Sequence, residues 1–336
     1  MAKGHGLGVV AENMGAARMS GRSVPLLKLC VGGLFVLLTA EPALAAQKSE
    51  SLKGVAKSVE SFSEEDMFAE TTPSPDKVAE RFYYAGWVSH QYTNNRFYDT
   101  VERMRLHTNI TTVAGGVMID KTFILGAAYT KYLTTGTSRL RAESDTDIDE
   151  DGNFGALHGA YLINKQFSIS ATPIYGLVKY SDETRSRTNN SVSRGDQDIW
   201  VFSLPIAITF NDSVGNFDYG AKLGYNWMRL EEEAYTETDG TRFNHDYVYS
   251  RIVRAGVRAG YRFGDFRPNA FVDYERELNP LLNATGAHND PDGWRLGGGV
   301  EYDPIKGLTS ALEFTTYKGN DQTSDWSGMF TLRITF

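Results

Sequence analysis

Residues 247–263 read YVYSRIVRAGVRAGYRF, and their side chains alternate in character from one residue to the next. A period of two predicts a β-strand, because successive side chains of a strand point to opposite faces. One face carries tyrosines, valines, alanines and Phe263, while the other carries Arg254, Arg258 and Arg262. Three unpaired arginines would be very costly in a dry core. The stretch therefore predicts a transmembrane barrel strand, with lipid on its apolar face and a wet interior on its charged face.

The same texture extends in both directions, from Phe82 to Phe336. It is clear in 216–230 and 326–336, which place aromatic and aliphatic residues on one face and Asp218, Lys222 or Arg333 on the other. The pattern predicts an all-β fold: a transmembrane antiparallel up-and-down β-barrel over residues 81–336 with about twelve strands. The predicted strands lie near 82–91, 107–119, 122–134, 154–164, 167–181, 198–210, 216–230, 246–263, 266–278, 293–303, 308–318 and 326–336.

The connections between these segments form two alternating sets. Short connections are predicted at 119–121, 164–166, 211–216, 264–265 and 303–307, and longer polar ones at 92–106, 135–153, 182–197, 231–245, 279–292 and 319–325. Membrane barrels have short periplasmic turns and longer outer loops. Aromatic residues also concentrate near the strand ends, as an interfacial girdle requires.

The first 45 residues have the three parts of a secretory signal. Basic residues precede an apolar run, Leu29 to Leu38, and Ala43-Leu44-Ala45 follows it as a small-residue cleavage site. The run is too short to cross a bilayer as a helix. We expect residues 1–45 to be removed after Ala45 and the mature chain to reach the bacterial outer membrane.

Residues 46–80 are polar and have a different texture. Leu52, Val55, Ala56, Val59 and Phe62 recur at helical spacing, so one short amphipathic helix is predicted. Two interpretations stay open for this segment. It is either a periplasmic leader or a helix that enters the barrel lumen.

Composition excludes several classes of function. The formal net charge is -8 and there is no basic cluster, which argues against a nucleic-acid partner. The single cysteine, Cys30, lies in the predicted signal, so the mature chain would have no disulfide, thiolate metal site or cysteine nucleophile. No cofactor is expected.

The acidic stretch 145–152, DTDIDEDG, is similar in pattern to a calcium loop. Asp147, Asp149 and Asp151 would supply carboxylate oxygens, which calcium prefers. The twelfth position counted from Asp147 is His158, where an EF-hand has glutamate, so a solvated outer loop is the favoured interpretation. Divalent ions that bridge this loop to lipopolysaccharide are a further hypothesis. Outer-membrane lipid and lipopolysaccharide are thus expected partners.

A row of charged residues is predicted to line the lumen as a ladder of cross-strand ion pairs. A functional alternative is a charged pore lining that selects solutes. The predicted members are Arg254, Arg258, Arg262, Asp273, Glu275, Arg295, Glu301, Glu313 and Arg333.

Over residues 80–336 the chain resembles the translocator β-domain of autotransporters. The resemblance rests on the strand number, on Gly/Ala-rich strands such as 124–129 and 220–225, and on the last strand, GMFTLRITF, which ends at Phe336. The resemblance implies a barrel that anchors and exports a passenger, and a terminal aromatic that the outer-membrane assembly machinery reads. Only about 35 residues would precede the barrel after cleavage, so we expect little or no passenger.

Two other functions remain as alternatives. One is a narrow porin-like channel, because barrels of this size lie between filled barrels and open porins. The less favoured one is a protease at the outer rim, where Asp196, Asp198, His245 and Asp246 could activate a water.

Overall fold

The computed structural model describes residues 82–98, 102–140, 144–278, 292–319 and 323–336. The predicted signal (1–45), the segment 46–80 and most of the predicted loop 279–292 lie outside the described residues. Fifteen strands make up the described part. They are β1 (Phe82–Tyr98), β2 (Glu102–Ile119), β3 (Phe123–Leu140), β4 (Ser144–Leu162), β5 (Phe167–Ala171), β6 (Ile174–Ser186), β7 (Val192–Val214), β8 (Phe217–Glu232), β9 (Tyr235–Thr236), β10 (Arg242–Phe243), β11 (Asp246–Tyr261), β12 (Phe266–Glu277), β13 (Asp292–Ile305), β14 (Leu308–Gly319) and β15 (Thr323–Thr335).

The strands form one closed antiparallel barrel of 12 barrel strands, as predicted. β5 and β6 follow one another along a single barrel strand, interrupted at Thr172 and Pro173. Proline has no N–H to give to the ladder, so a break there is expected. β9 and β10 pair only with each other, in the loop between β8 and β11. The barrel closes where β1 pairs with β15, from Ala85 opposite Thr335 to Phe97 opposite Thr323.

The short connections occur at one end of the barrel, as predicted. Asp120 and Lys121 both have positive φ, 50° and 57°, which matches the right-handed twist of the flanking strands. The predicted turn 211–216 is shorter than expected, because β7 continues to Val214 and only Gly215 and Asn216 link it to β8. We call this end of the barrel the turn end, and the opposite end the outer end.

The predicted outer loops 92–106, 135–153 and 182–197 are wrong over most of their length. β1 runs to Tyr98, β2 begins at Glu102, and β3, β4, β6 and β7 also extend into the predicted loops. β4 has 19 residues and β7 has 23. A membrane strand needs about 9–11 residues. These strands therefore project beyond the bilayer, where polar outward side chains are expected.

Side chains alternate between lipid and lumen around the whole barrel. On β4, every second side chain from Thr146 to Ala160 is buried on the lumen side. The facing predicted for 216–230, 246–263 and 326–336 is confirmed, since their aromatic residues are exposed on the outside. The strand from Trp326 to Phe336 is roughly 33 Å long. A strand tilt of about 40° reduces this to the ~25 Å height of a barrel's apolar belt.

Within the described ranges, no helix is long and apolar enough to cross a membrane.

Candidate functional site

The lumen face at the outer end carries an apolar band across seven neighbouring barrel strands. Tyr132, Val178, Ile199 and Leu230 are fully inaccessible to solvent. The charged face of the sequence pattern predicts a wet interior, and this prediction is wrong for this sector. The band consists of Met104, Leu106, Ile110, Tyr132, Ile148, Phe154, Ala156, Ile174, Val178, Tyr180, Ile199, Val201, Met228, Leu230 and Val248.

Glycines make room for the large side chains of the apolar band. A Cβ on Gly176 would lie 2.3 Å from the ring of Phe154, and one on Gly152 would lie 2.8 Å from the same ring. Close packing of this kind is typical of a soluble β-protein core. The band therefore stabilises the strands where they project beyond the bilayer.

Buried carboxylates lie on the same lumen face. The Tyr132 hydroxyl donates a hydrogen bond of 2.6 Å to Glu150, and the Ser250 hydroxyl donates one of 2.7 Å to Glu277. We call four of these residues, Glu150, Asp182, Glu232 and Glu277, the acidic collar. The collar gives the outer part of the lumen a negative character.

The loop 233–245 continues along the edge of β7 that β8 leaves unpaired. The Glu233 amide donates to the Asp198 carbonyl at 3.1 Å, and the Thr238 amide donates to the Arg194 carbonyl at 3.0 Å. Tyr235 stacks on Phe243 with ring centroids 4.5 Å apart. Burial raises the pKa of Tyr235 above its usual range. This loop therefore extends the barrel wall beyond β8, alongside the outer part of β7.

The nine residues of the predicted charge ladder all occupy lumen-facing positions, from Glu275 and Arg295 near the outer ends of β12 and β13 to Arg262 and Arg333 near the turn end. Arg254 lies opposite Glu275 on the neighbouring strand, with a nitrogen–oxygen distance of 2.9 Å. The Arg295 guanidinium also lies 3.4 Å from the Glu275 carboxylate, and Asp273 lies opposite Arg295. These side chains are between 3% and 16% exposed. Charged groups buried to this degree need partners of opposite charge. The structure thus brings the central members together across β11, β12 and β13.

Other ladder members have neutral or unforeseen partners. Arg258 donates to the Asn211 side chain at 3.3 Å, and Arg333 donates to the Thr309 hydroxyl at 3.2 Å. Glu301 pairs with Arg267, a residue absent from the prediction. Arg267 has the same parity along β12 as Asp273 and Glu275, so the alternation already contained the signal for it.

A small cavity lies in the lumen beside this charged region. Its volume is about 50 Å³, and its lining includes Trp87, Glu301, Glu313 and Arg333. A space of this size holds one or two water molecules and no organic ligand. The cavity is therefore consistent with a hydrated, charged lining in this part of the lumen.

The acidic stretch does not form a loop, which corrects the prediction of a calcium-type loop. Asp147, Asp149 and Asp151 lie on β4, exposed on its outward face. Outward carboxylates on one strand are about 6–7 Å apart and cannot converge as loop oxygens do. Among the described residues, no group of three or more His, Cys, Asp or Glu side chains could hold a metal ion. Asp151 pairs with Lys131 instead.

The candidate protease residues do not form a common centre. Asp196 and Asp198 lie on outward positions of β7, opposite Ser181 and Lys179. The His245 ring lies 3.1 Å from Glu231, on the outward face of β8, and not beside either aspartate of β7. Asp246, the first residue of β11, occupies a lumen-facing position, on the other side of the barrel wall from Asp198.

A model of the autotransporter beta-domain family matches residues 86–315. The chain belongs to the autotransporter β-domain family. Membership places this β-domain in the bacterial outer membrane. No curated protein matches the sequence.

Solved structures of autotransporter β-domains have the same fold. The translocator domain of NalP from Neisseria meningitidis has a TM-score of 0.68 at 14% identity, covering 88% of this chain and 99% of the other. The transport unit of AIDA-I from Escherichia coli has a TM-score of 0.60 at 12% identity, covering 78% and 93%. The β-domain of BrkA from Bordetella has 0.56 at 13% identity, covering 75% and 98%. At such identities the likeness shows the fold alone.

The seam of this autotransporter β-domain includes its last residue. The Phe336 amide donates to the Tyr84 carbonyl at 2.9 Å, and the Phe336 side chain is 78% exposed on the outward face. The terminal aromatic is therefore presented to the surroundings of the barrel. Its role as an assembly signal stays a prediction.

Proposed function

We propose that the barrel is the outer-membrane anchor and translocator of the chain that precedes β1, and that it has no enzymatic activity. The closed 12-strand barrel of this family supports the proposal best. NalP's similar domain is described as a translocator domain, and that of AIDA-I as a transport unit. β1 begins at the turn end, so the preceding chain meets the barrel there. The turn end is the periplasmic end if the barrel follows the general rule.

We further propose that residues 46–80 pass through the lumen, with their N-terminal end outermost. The charge of this segment changes sign along its length. Residues 46–60 carry three lysines (Lys48, Lys53 and Lys57) and two glutamates, a net charge of +1. The acidic stretch of Glu64, Glu65, Asp66 and Glu70 follows, with a net charge of -4. A helix over residues 46–70 would be about 37 Å long, enough to reach from one end of the barrel to the other.

The lumen lining offers partners of opposite sign along this path. The acidic collar lies at the outer end, where the lysines would lie. Arg258, Arg267 and Arg333 lie nearer the turn end, where the acidic stretch would lie, and Arg254 lies at mid-height. The apolar band faces the side on which Leu52, Val55 and Val59 would pack. Opposite charges at close range in a poorly hydrated lumen attract strongly.

Surface labelling of intact cells tests the direction of passage. An epitope inserted after Ala46 should be accessible to antibody outside the cell, because the segment would emerge at the outer end. The matched control is the same epitope between Gly215 and Asn216, at the turn end, which should be protected. Protection of the first epitope, with a third epitope in loop 233–245 accessible, would disprove the passage.

Planar-bilayer conductance tests occupation of the lumen. The full mature chain should conduct little, and deletion of residues 46–80 should open a larger conductance. The conductance of the triple variant Lys48→Glu, Lys53→Glu, Lys57→Glu should approach that of the deletion variant, because the acidic collar would repel the new glutamates. Ser49→Gln, Ser51→Gln, Ser58→Gln is the matched control and should conduct like the unaltered chain. A stable open conductance of the full mature chain would instead favour the narrow solute channel.

A further inference from the structure

Four arginines share the outward face of β1, β2 and β3 at the outer end. They are Arg96, Arg103, Arg105 and Arg139, and together they are called the arginine patch. Arg96 lies directly opposite Arg105 across the β1–β2 ladder, and Arg103 lies directly opposite Arg139 across the β2–β3 ladder. Arg103, Arg105 and Arg139 are exposed, and Arg96 is half-buried.

Like charges directly opposite on neighbouring strands destabilise a sheet. Two such pairs side by side are therefore unexpected unless something compensates them. Within the described residues, Arg103 and Arg105 have no hydrogen bond or ion pair, and Arg96 donates only to the Asn94 side chain at 3.4 Å. Arg139 lies 3.5 Å from Asp145, a carboxylate already held by Arg187 at 2.9 Å.

A neighbouring sector of the same outward surface shows a different arrangement. On β6, β7 and the turn between them, Arg185 and Arg194 both pair with Glu183, and Arg187 pairs with Asp145. There the chain supplies the anions for its own arginines. In the arginine patch the described residues offer only Asp145, which Arg187 already holds, so an anion from outside the described part of the chain would compensate the remaining charge.

The height of the arginine patch indicates which anion is available. Arg96 lies two residues beyond Asn94, whose cross-strand neighbours are Trp326 and His107. Tyr92 packs on Trp326 at 5.4 Å and shares a hydrogen bond of 2.8 Å with His107. Tryptophan and tyrosine mark the headgroup level of a membrane. Along the strands, the Arg96–Arg105 pair lies roughly 7 Å farther out, at the level of lipid phosphates, and the Arg103–Arg139 pair roughly 13 Å farther out, toward the sugars.

We propose that the arginine patch binds the phosphate groups of the glycolipid in the outer leaflet, that is, of lipopolysaccharide. A guanidinium presents a fork of N–H donors that matches a phosphate, and such bonds are among the stronger hydrogen bonds. The two opposed arginine pairs offer places for two phosphates on one lipid. The proposal concerns the lipid around the barrel and does not depend on what the lumen contains.

Binding of purified lipid A by the full mature chain in non-ionic detergent tests the proposal. Diphosphoryl lipid A should bind at least roughly tenfold more tightly than its dephosphorylated form, since charge-assisted hydrogen bonds would be lost. The variant Arg96→Gln, Arg103→Gln, Arg105→Gln, Arg139→Gln should abolish this difference. The matched control, Arg185→Gln, Arg187→Gln, Arg194→Gln, removes three outward arginines that already have partners and should keep it.

Two results would overturn the proposal. One is an unchanged preference for the diphosphoryl form in the fourfold variant. The other is equal binding of phosphatidylglycerol and diphosphoryl lipid A by the unaltered chain, which would mean attraction to any anionic lipid. Folding of each variant is checked by the heat-dependent shift of the barrel on a denaturing gel. If the fourfold variant does not fold, Arg103→Gln with Arg105→Gln gives the same comparison with fewer changes.

Discussion

The two sides of the barrel differ in the length of their strands and in the side chains on their lumen face. On the side of β2, β3, β4 and β7, strands of 18 to 23 residues project beyond the bilayer and bury the apolar band. On the side of β12 to β15, strands of 12 to 14 residues only cross the bilayer, and β12 forms ion pairs with β11 and with β13. Strand length and the composition of the lumen lining vary together. The strand ends that project beyond the bilayer have no lipid around them, so they are stabilised by burying apolar side chains on the lumen side.

The largest effect is expected in the apolar band. Leu230→Ala should lower the free energy of unfolding by about 2–5 kcal/mol, because it leaves a cavity among fully buried neighbours. Leu133→Ala, on the outward face of β3 and 44% exposed, is the matched control and should cost less than about 1 kcal/mol. Urea unfolding in detergent micelles, followed by tryptophan fluorescence, measures both. Equal losses would mean that the band is not a core.

The next effect concerns the ion-paired side. Glu275→Gln should cost roughly 1–3 kcal/mol, because Arg254 and Arg295 would both face a neutral amide. Glu183→Gln on the outward face, which also loses two arginine contacts, is the control and should cost much less. The same unfolding measurement compares them. A cost for Glu275→Gln no greater than for Glu183→Gln would show that burial adds nothing to these pairs.

A smaller and local effect is expected where the loop 233–245 pairs with the edge of β7. Tyr235→Ala should release this loop from β7 and increase the rate of tryptic cleavage after Arg242 by roughly tenfold, since local opening controls proteolysis. Tyr98→Ala, an exposed tyrosine on another strand, should leave that rate unchanged. Unaltered cleavage of the Tyr235 variant would mean that backbone pairing alone holds the loop.

The smallest effect is expected on the outside of the projecting strands. Arg187→Gln removes the nearer of the two arginines beside Asp145 in an exposed pair, and such pairs contribute little to stability. The unfolding midpoint should not change measurably. A clear decrease of the unfolding midpoint would show that outward ion pairs also stabilise the projecting strands. The stabilisation of these strands could then not be attributed to the apolar band alone.

The alternation of side chains predicts the barrel, its strand number and the facing of its strands. The stretch 247–263 alone predicts a membrane strand, because only one face of such a strand contacts lipid and its side chains therefore alternate in polarity. Ladder members such as Arg254 and Glu275 follow from parity alone. The partner Arg267 follows from the same rule but is easily overlooked, because Pro268 beside it suggests a turn.

The projecting strand ends do not follow from that rule. In Asp145–Gly152 the residues still alternate, with Thr146, Ile148 and Glu150 toward the lumen. Outside the bilayer, however, water replaces lipid, so the outward residues become charged and the stretch resembles a loop. The apolar band is not predicted for the same reason. The rule derived from lipid-facing strands assigns apolar residues to the outside, whereas the residues of the band face the lumen.

The pairing of β1 with β15 has a consequence for the order of events during biogenesis. Ala85 and Thr335 lie at the two extremes of the described chain, so this contact carries the greatest loop-closure entropy of any in the sheet. Neither strand can complete its hydrogen bonds until the whole polypeptide has been delivered. Whatever occupies the interior at that moment is enclosed, and it can afterwards leave only through the two open ends of the cylinder.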